Sequence, residues 1–216
     1  MAISDNCKTQ TAETQAAITP DEAIQMLQAG NQRFLQKKQC DRDLHQQVAD
    51  TSTGQHPFAV VLGCIDSRVP AETVFDQGIG DIFNVRIAGN FVNRDILGSM
   101  EFSCKLAKSK AILVLGHSSC GAIKGAIDDA KLGNLTQMLD KLQPAVKAVV
   151  GDDTDYSSKD PALVQAVVNM NVKLTIQNIR KESPVLKAME DNGEIVIRGG
   201  VYDISTGEVS IYPVAS

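Results

Sequence analysis

The 216-residue chain has no tryptophan and only three histidines, His45, His56 and His117. A metal site made of three imidazoles would need all of them, which argues against that class. Positive charge is also scarce: 21 lysines and arginines stand against 26 aspartates and glutamates, a formal net charge of −5. Binding through a basic face needs clustered cations to neutralise phosphates, so nucleic acid is not an expected partner. No apolar run approaches the roughly 20 residues of a membrane span, so no membrane association is expected. The first ten residues lack a basic start followed by an apolar stretch, so no secretory signal is expected and the expected location is cytoplasmic. The five cysteines are an odd number. In a reducing compartment they are better read as thiols or metal ligands than as bridges.

What is present suggests one domain over residues 1–216, since a chain of this size can bury roughly 70% of its unfolded surface without a disulfide scaffold. Residues 1–18 are small and polar and are expected to form a flexible arm. Thr19-Pro20-Asp21-Glu22 then starts a helix: Thr19 caps, Pro20 fits the first turn and Glu22 completes a capping box. Residues 36–55 are charged and read as a loop or irregular helix. Residues 58–63 and 111–116 are short, continuously apolar runs, the mark of strands buried on both faces. Residues 82–87 form a weaker run, interrupted by Asn84 and Arg86. Helices are expected over 98–109, 122–132 and 134–150, with Pro144 as a kink, and from Pro161 and Pro184 onward. A strand at 195–197 and a hairpin turning at 205–207 close the chain. Buried strands alternating with helices predict an α/β fold, a mainly parallel sheet flanked by helices with an extended N-terminal helical arm. In such sheets, sites form where strands end at their carboxyl edge.

Two strand ends carry chemistry. The first apolar strand runs into Cys64-Ile65-Asp66-Ser67-Arg68, and the third into His117-Ser118-Ser119-Cys120-Gly121. Cys64, His117 and Cys120 make a Cys₂His set for zinc, with a fourth position open as in catalytic sites. No four-cysteine motif suggests an iron–sulfur cluster. Either cysteine alone could simply fill space in the core. Asp66 and Arg68 are seldom buried types unless paired, and at this spacing they can pair through a fork of hydrogen bonds. Cys7, Cys40 and Cys104 are read as ordinary thiols without an evident partner.

Cys-Ile-Asp-Ser-Arg-Val-Pro at 64–70, with Gly-His-Ser-Ser-Cys-Gly at 116–121, resembles the β-class carbonic anhydrases. Residues 83–90 resemble the segment along that family's second strand, and 200–207 its C-terminal hairpin. The resemblance implies that Cys64, His117 and Cys120 hold one Zn²⁺ and that Asp66 and Arg68 are the catalytic dyad. Gly121 matches a glycine whose backbone lies beside the substrate. The implied reaction is reversible hydration of carbon dioxide to bicarbonate and a proton. Two thiolates offset the charge of Zn²⁺, so activity is expected to improve toward alkaline pH.

Some members let the dyad aspartate take the fourth place on zinc in a closed state, which here would be Asp66. Those with a separate inhibitory bicarbonate site have a tryptophan where this chain has Val61. The plant-like pattern has a glutamine and a phenylalanine at the positions of Gln55 and Phe83, and a tyrosine where this chain has Phe102. An open site is therefore expected, with Gln55, Phe83 and Phe102 in the substrate pocket. The family also implies self-association as a dimer or higher oligomer, with the N-terminal helix reaching a neighbour. Two rival functions use the same centre: hydrolysis of carbon disulfide or carbonyl sulfide, or a non-catalytic, zinc-stabilised assembly module.

Overall fold

The computed structural model describes residues 7–213. Its centre is a five-stranded sheet in the order β2-β1-β3-β4-β5. β1 (Ala59–Gly63), β2 (Ile82–Arg86), β3 (Ala111–His117) and β4 (Val196–Tyr202) run parallel. β5 (Val209–Ile211) returns antiparallel to β4. Every residue of β1 and β3 is buried, as their unbroken apolar sequences predict for strands covered on both faces. Alternate side chains enter opposite cores. Val61 and Leu113 pack with Leu27, Phe58 and Phe75, whereas Val60 and Ile112 pack with Met100, Ile179 and Leu186. β2 lies at the sheet edge and is only half-buried.

The helix signals translate into capped ends. α1 (Ala12–Ala17) is capped by Thr11. α2 (Pro20–Leu35) starts with the expected box, Thr19 Oγ1 accepting from Glu22 N while Glu22 accepts from Thr19 N. α2 lies on its own sheet, with Ala23 and Leu27 fully buried. In the polar stretch 36–55, Asp43 caps α3 (Leu44–Thr51). α4 (Ala71–Val74) is one turn. α5 (Arg94–Glu101), capped by Asn93, passes into a π-helical turn at Phe102–Leu106, marked by Ala107 N donating to Phe102 O.

The expected helix at 122–132 is shorter, α6 (Gly121–Ile127), because the chain turns left-handed at Asp129 (φ 49°). The helix expected over 134–150 is two, α7 (Gly133–Leu139) and α8 (Gln143–Val150). Pro144 begins the second rather than kinking one, since a proline in the first turn sacrifices no hydrogen bond. α9 (Pro161–Glu182) and α10 (Pro184–Asp191) start at Asp160 and Ser183 caps.

The structure corrects one assignment outright. Cys7 and Cys40, read as ordinary thiols, are joined in a disulfide, with Cα atoms 5.6 Å apart and 33 positions apart in sequence. The pairing was invisible because the arm folds back over the body only through tertiary contacts. Gln47 Nε2 donates to Cys7 O, and Gln15 Nε2 donates to Pro57 O and Ala107 O. Of the expected flexible arm, residues 1–6 lie outside the described residues, and 7–18 hold α1 and these contacts. Cys104 is buried without a disulfide partner, and burial pushes its thiol up to about 12.

Beside the bridge, buried Asp76 accepts from Arg33 Nε and Arg42 Nη1, each at 2.5 Å, and from Cys40 N at 3.2 Å. Closing a loop of this length restricts the unfolded chain by about 3.7 kcal/mol in the chain-entropy account. Cys40→Ser, or phosphine reductant on the native protein, is therefore expected to lower Tm by roughly 7–15 °C. Thermal unfolding measured with and without reductant checks this. An unchanged midpoint would show that the bridge adds nothing.

Candidate metal centre

Cys64 directly follows β1, His117 ends β3, and Cys120 caps α6. Because β1 and β3 are parallel neighbours, their carboxyl ends deliver all three to one edge of the sheet. Two sulfurs and an imidazole nitrogen lie within 4.8 Å of one another, and all three residues are buried.

The His117 ring is oriented by its own loop. Nδ1 lies 2.9 Å from Ser118 O, which assigns the proton to Nδ1 and leaves a lone pair on Nε2. Nε2 is buried and has no hydrogen-bond partner among the described residues. It also faces Asp66 Oδ2, another acceptor, at 3.8 Å. An unpaired acceptor in the interior is costly, and two opposed acceptors both call for a positive centre. The sulfurs make the same demand. Cys120 hydrogen-bonds Cys64 and holds its thiol below the usual range, while Cys64 and burial drive Cys120 upward. A divalent ion would take both as thiolates. The donor set fits zinc, which favours thiolate and imidazole.

Asp66 is held at the edge of this cluster by its neighbour. Arg68 Nε and Nη2 donate to its two oxygens at 2.9 and 2.7 Å, and Arg68 N adds a third bond at 3.0 Å. Arg68 holds the Asp66 carboxyl well below the usual carboxylate range, against the opposing effect of burial.

Three supporting residues had gone unassigned. Arg86, at the end of β2, donates to Cys64 O at 2.8 Å and Asp66 O at 2.6 Å. Its sequence signal was a cation interrupting an apolar run. Gly89 N donates to Cys64 Sγ at 3.4 Å. Asn171 Nδ2 donates to Gly89 O at 2.8 Å. The hairpin after β4 also braces the His117 loop: Ser118 Oγ donates to Asp203 Oδ1 and accepts from Ile204 N.

One chain does not gather every expected residue. Gly121 sits at the start of α6, and a Cβ there would meet nothing within 4 Å, so its backbone is open to an approaching molecule. Gln55 precedes β1 while Cys64 follows it, a separation of up to about 30 Å along an extended strand; Gln55 lines a cavity with Gln15 and Lys110 instead. Phe83 pairs in register with Val60, short of the strand end. Its ring meets Phe102 edge-on at 6.1 Å, and Phe102 is half-exposed.

Similarity to known proteins agrees with the geometry. Residues 59–209 match the family described as "Carbonic anhydrase". The chain is 33% identical over 202 residues to a carbonic anhydrase of Mycolicibacterium smegmatis, covering 89% of this chain and 93% of that one. It is 33% identical over 194 residues to carbonic anhydrase 2 of Mycobacterium tuberculosis, covering 87% and 90%. Among solved structures, a β-carbonic anhydrase of Aspergillus fumigatus superposes with a TM-score of 0.71 at 26% identity, over 87% of this chain and 89% of that one. The fold, the buried Cys-His-Cys cluster and these matches together show that the chain belongs to the β-carbonic anhydrase family.

Proposed function

We propose that this protein reversibly hydrates carbon dioxide to bicarbonate and a proton, with one zinc ion held by Cys64, His117 and Cys120. The observation that carries this is the buried, unpartnered Nε2 of His117, facing the Asp66 carboxylate and clustered with two cysteine sulfurs. Bound zinc supplies the acidification that turns water into a nucleophile near neutral pH. The residues supply placement. Asp66 remains anionic because Arg68 holds it, and it keeps lone pairs free to accept a hydrogen bond from water and aim that water at carbon dioxide. Arg68, by gripping both carboxylate oxygens, keeps Asp66 off the metal, which supports an open site. Gly121 offers open backbone beside Cys120 for the substrate.

Gln55, Phe83 and Phe102 reach a substrate pocket only if a second copy brings them there, because the strand length separates Gln55 from Cys64 in one chain. Among the described residues no helix is long and apolar enough to cross a membrane. We propose a cytoplasmic setting, in which thiol-reducing conditions would keep the Cys7–Cys40 pair open.

The test is stopped-flow carbon dioxide hydration alongside metal analysis. We expect turnover with one zinc per chain, lost on chelation and restored by zinc. Turnover that survives complete zinc removal would overturn the centre. Zinc-replete protein inert toward carbon dioxide but active on carbonyl sulfide would overturn the substrate, and protein inert toward both would favour the assembly module.

A further inference from the structure

We propose that Asn171 is a positioning residue for Cys64, acting through Gly89, and that it sets how tightly the centre holds its metal. The inference rests on the metal-centre reading above.

Apart from Asn171 and Thr175, the buried side of α9 is apolar. Val164, Val167, Val168, Val172 and Ile179 face the core, and Asn171 stands among them at 4% exposure. A buried amide on such a stripe needs a partner. Asn171 meets that need by donating to Gly89 O at 2.8 Å. On the other side of the same residue, Gly89 N donates to Cys64 Sγ at 3.4 Å. Gly89 therefore lies between the helix and the sulfur, fixed at its carbonyl and aiming its amide at the ligand.

The backbone at this point is unusual. Gly89 has φ of 81° and Asn90 φ of 41°. A Cβ on Gly89 would come within 2.7 Å of Leu142 Cδ1, so no other residue fits without repacking. Asn90 N closes the turn on Ile87 O at 2.9 Å. One turn further along α9, Thr175 Oγ1 donates to Asn90 O at 3.4 Å. The helix thus grips two successive carbonyls, but only the Asn171 grip leads to the residue whose N–H touches sulfur. An N–H donor draws electron density from a thiolate, and partners of metal ligands typically change metal affinity by about 10–100-fold when removed.

The experiment compares Asn171→Ala and the isosteric Asn171→Asp with Thr175→Val as the packing control. All are made in the full chain and loaded separately with zinc and cobalt(II). Zinc affinity is measured by competition with a chromophoric chelator. The cobalt forms report thiolate-to-metal charge transfer in the near ultraviolet. We expect both Asn171 variants to bind zinc about 10–100-fold more weakly and to shift the cobalt band to longer wavelength, as sulfur becomes more electron-rich. Thr175→Val should keep the parent's band and affinity.

Parent-like affinity and spectrum in a folded Asn171 variant would overturn the proposal. So would the same spectral shift in Thr175→Val, which would mark a general loosening of α9. If Asn171→Ala fails to fold, Asn171→Asp decides alone. A parent protein that takes up neither metal stoichiometrically would instead refute the metal centre itself.

Discussion

Asp66→Asn is expected to lower carbon dioxide turnover on the order of 10²–10³-fold, the scale of a positioned acid–base group, with zinc content unchanged. The carboxylate now uses both oxygens to accept the Arg68 fork. An amide of the same shape offers one acceptor and turns two N–H donors toward that fork or toward the centre. It also removes the negative charge opposite His117 Nε2, 3.8 Å from the present Oδ2. Under the proposed role, in which Asp66 orients the attacking water rather than holding substrate, the loss should fall mainly on kcat. Arg68→Lys keeps the charge but cannot fork, so it should lose less. Near-parental turnover in Asp66→Asn with full zinc would dismiss the dyad.

Asp76→Ala carries the largest expected stability effect, about 3–5 kcal/mol, the scale seen when one partner of a buried ion pair is removed. The Arg42 side chain is only 8% exposed, so its guanidinium cannot recover hydration once Asp76 is gone. Arg33 loses its contact with this carboxylate at the same time, and Cys40 N loses its acceptor. Urea unfolding followed by circular dichroism measures the change. A loss below about 1 kcal/mol, the scale of surface pairs, would place the cluster among those weaker contacts.

The pH dependence has a definite sign. Burial pushes the Asp76 carboxyl up, but Arg33, Arg42 and Cys40 N outweigh it and leave it lowered. Its stabilising contribution is complete above the ordinary carboxylate value of 3.8 and fades as pH falls below it. The parent should therefore lose stability on acidification more steeply than Asp76→Ala.

Much of the scaffold was legible because burial on both faces leaves unbroken apolar runs. Residues 58–63 and 111–116 announce β1 and β3, and the polar residues that interrupt their ends, Cys64, Asp66, Arg68, His117 and Cys120, announce the centre. What the sequence hid depends on approach in space. Asn171 was visible as a polar residue on the apolar stripe of α9, but its partner, the carbonyl of Gly89, is backbone and leaves no mark on residue identity. Arg86 weakened the strand reading, and its bonds to the carbonyls of Cys64 and Asp66 explain why a cation is tolerated there. Cys7 and Cys40 carry no local signal for pairing, since arm and loop meet only through tertiary contacts. Gln55 was placed in the pocket by pattern alone, and the length of β1 shows that one chain cannot bring it to Cys64.

The Cys7–Cys40 bridge also alters what breaking the main chain means for this molecule. Residues 7 to 40 form a closed covalent ring that includes α1 and α2. Lys37 and Lys38 are exposed at the end of α2, and Lys37 is held left-handed at φ of 56°. Proteolysis there would open the ring without dividing the protein. The cut piece would stay tethered beside Asp76 and could re-seat, and only scission of a second kind, of sulfur from sulfur, would set it free.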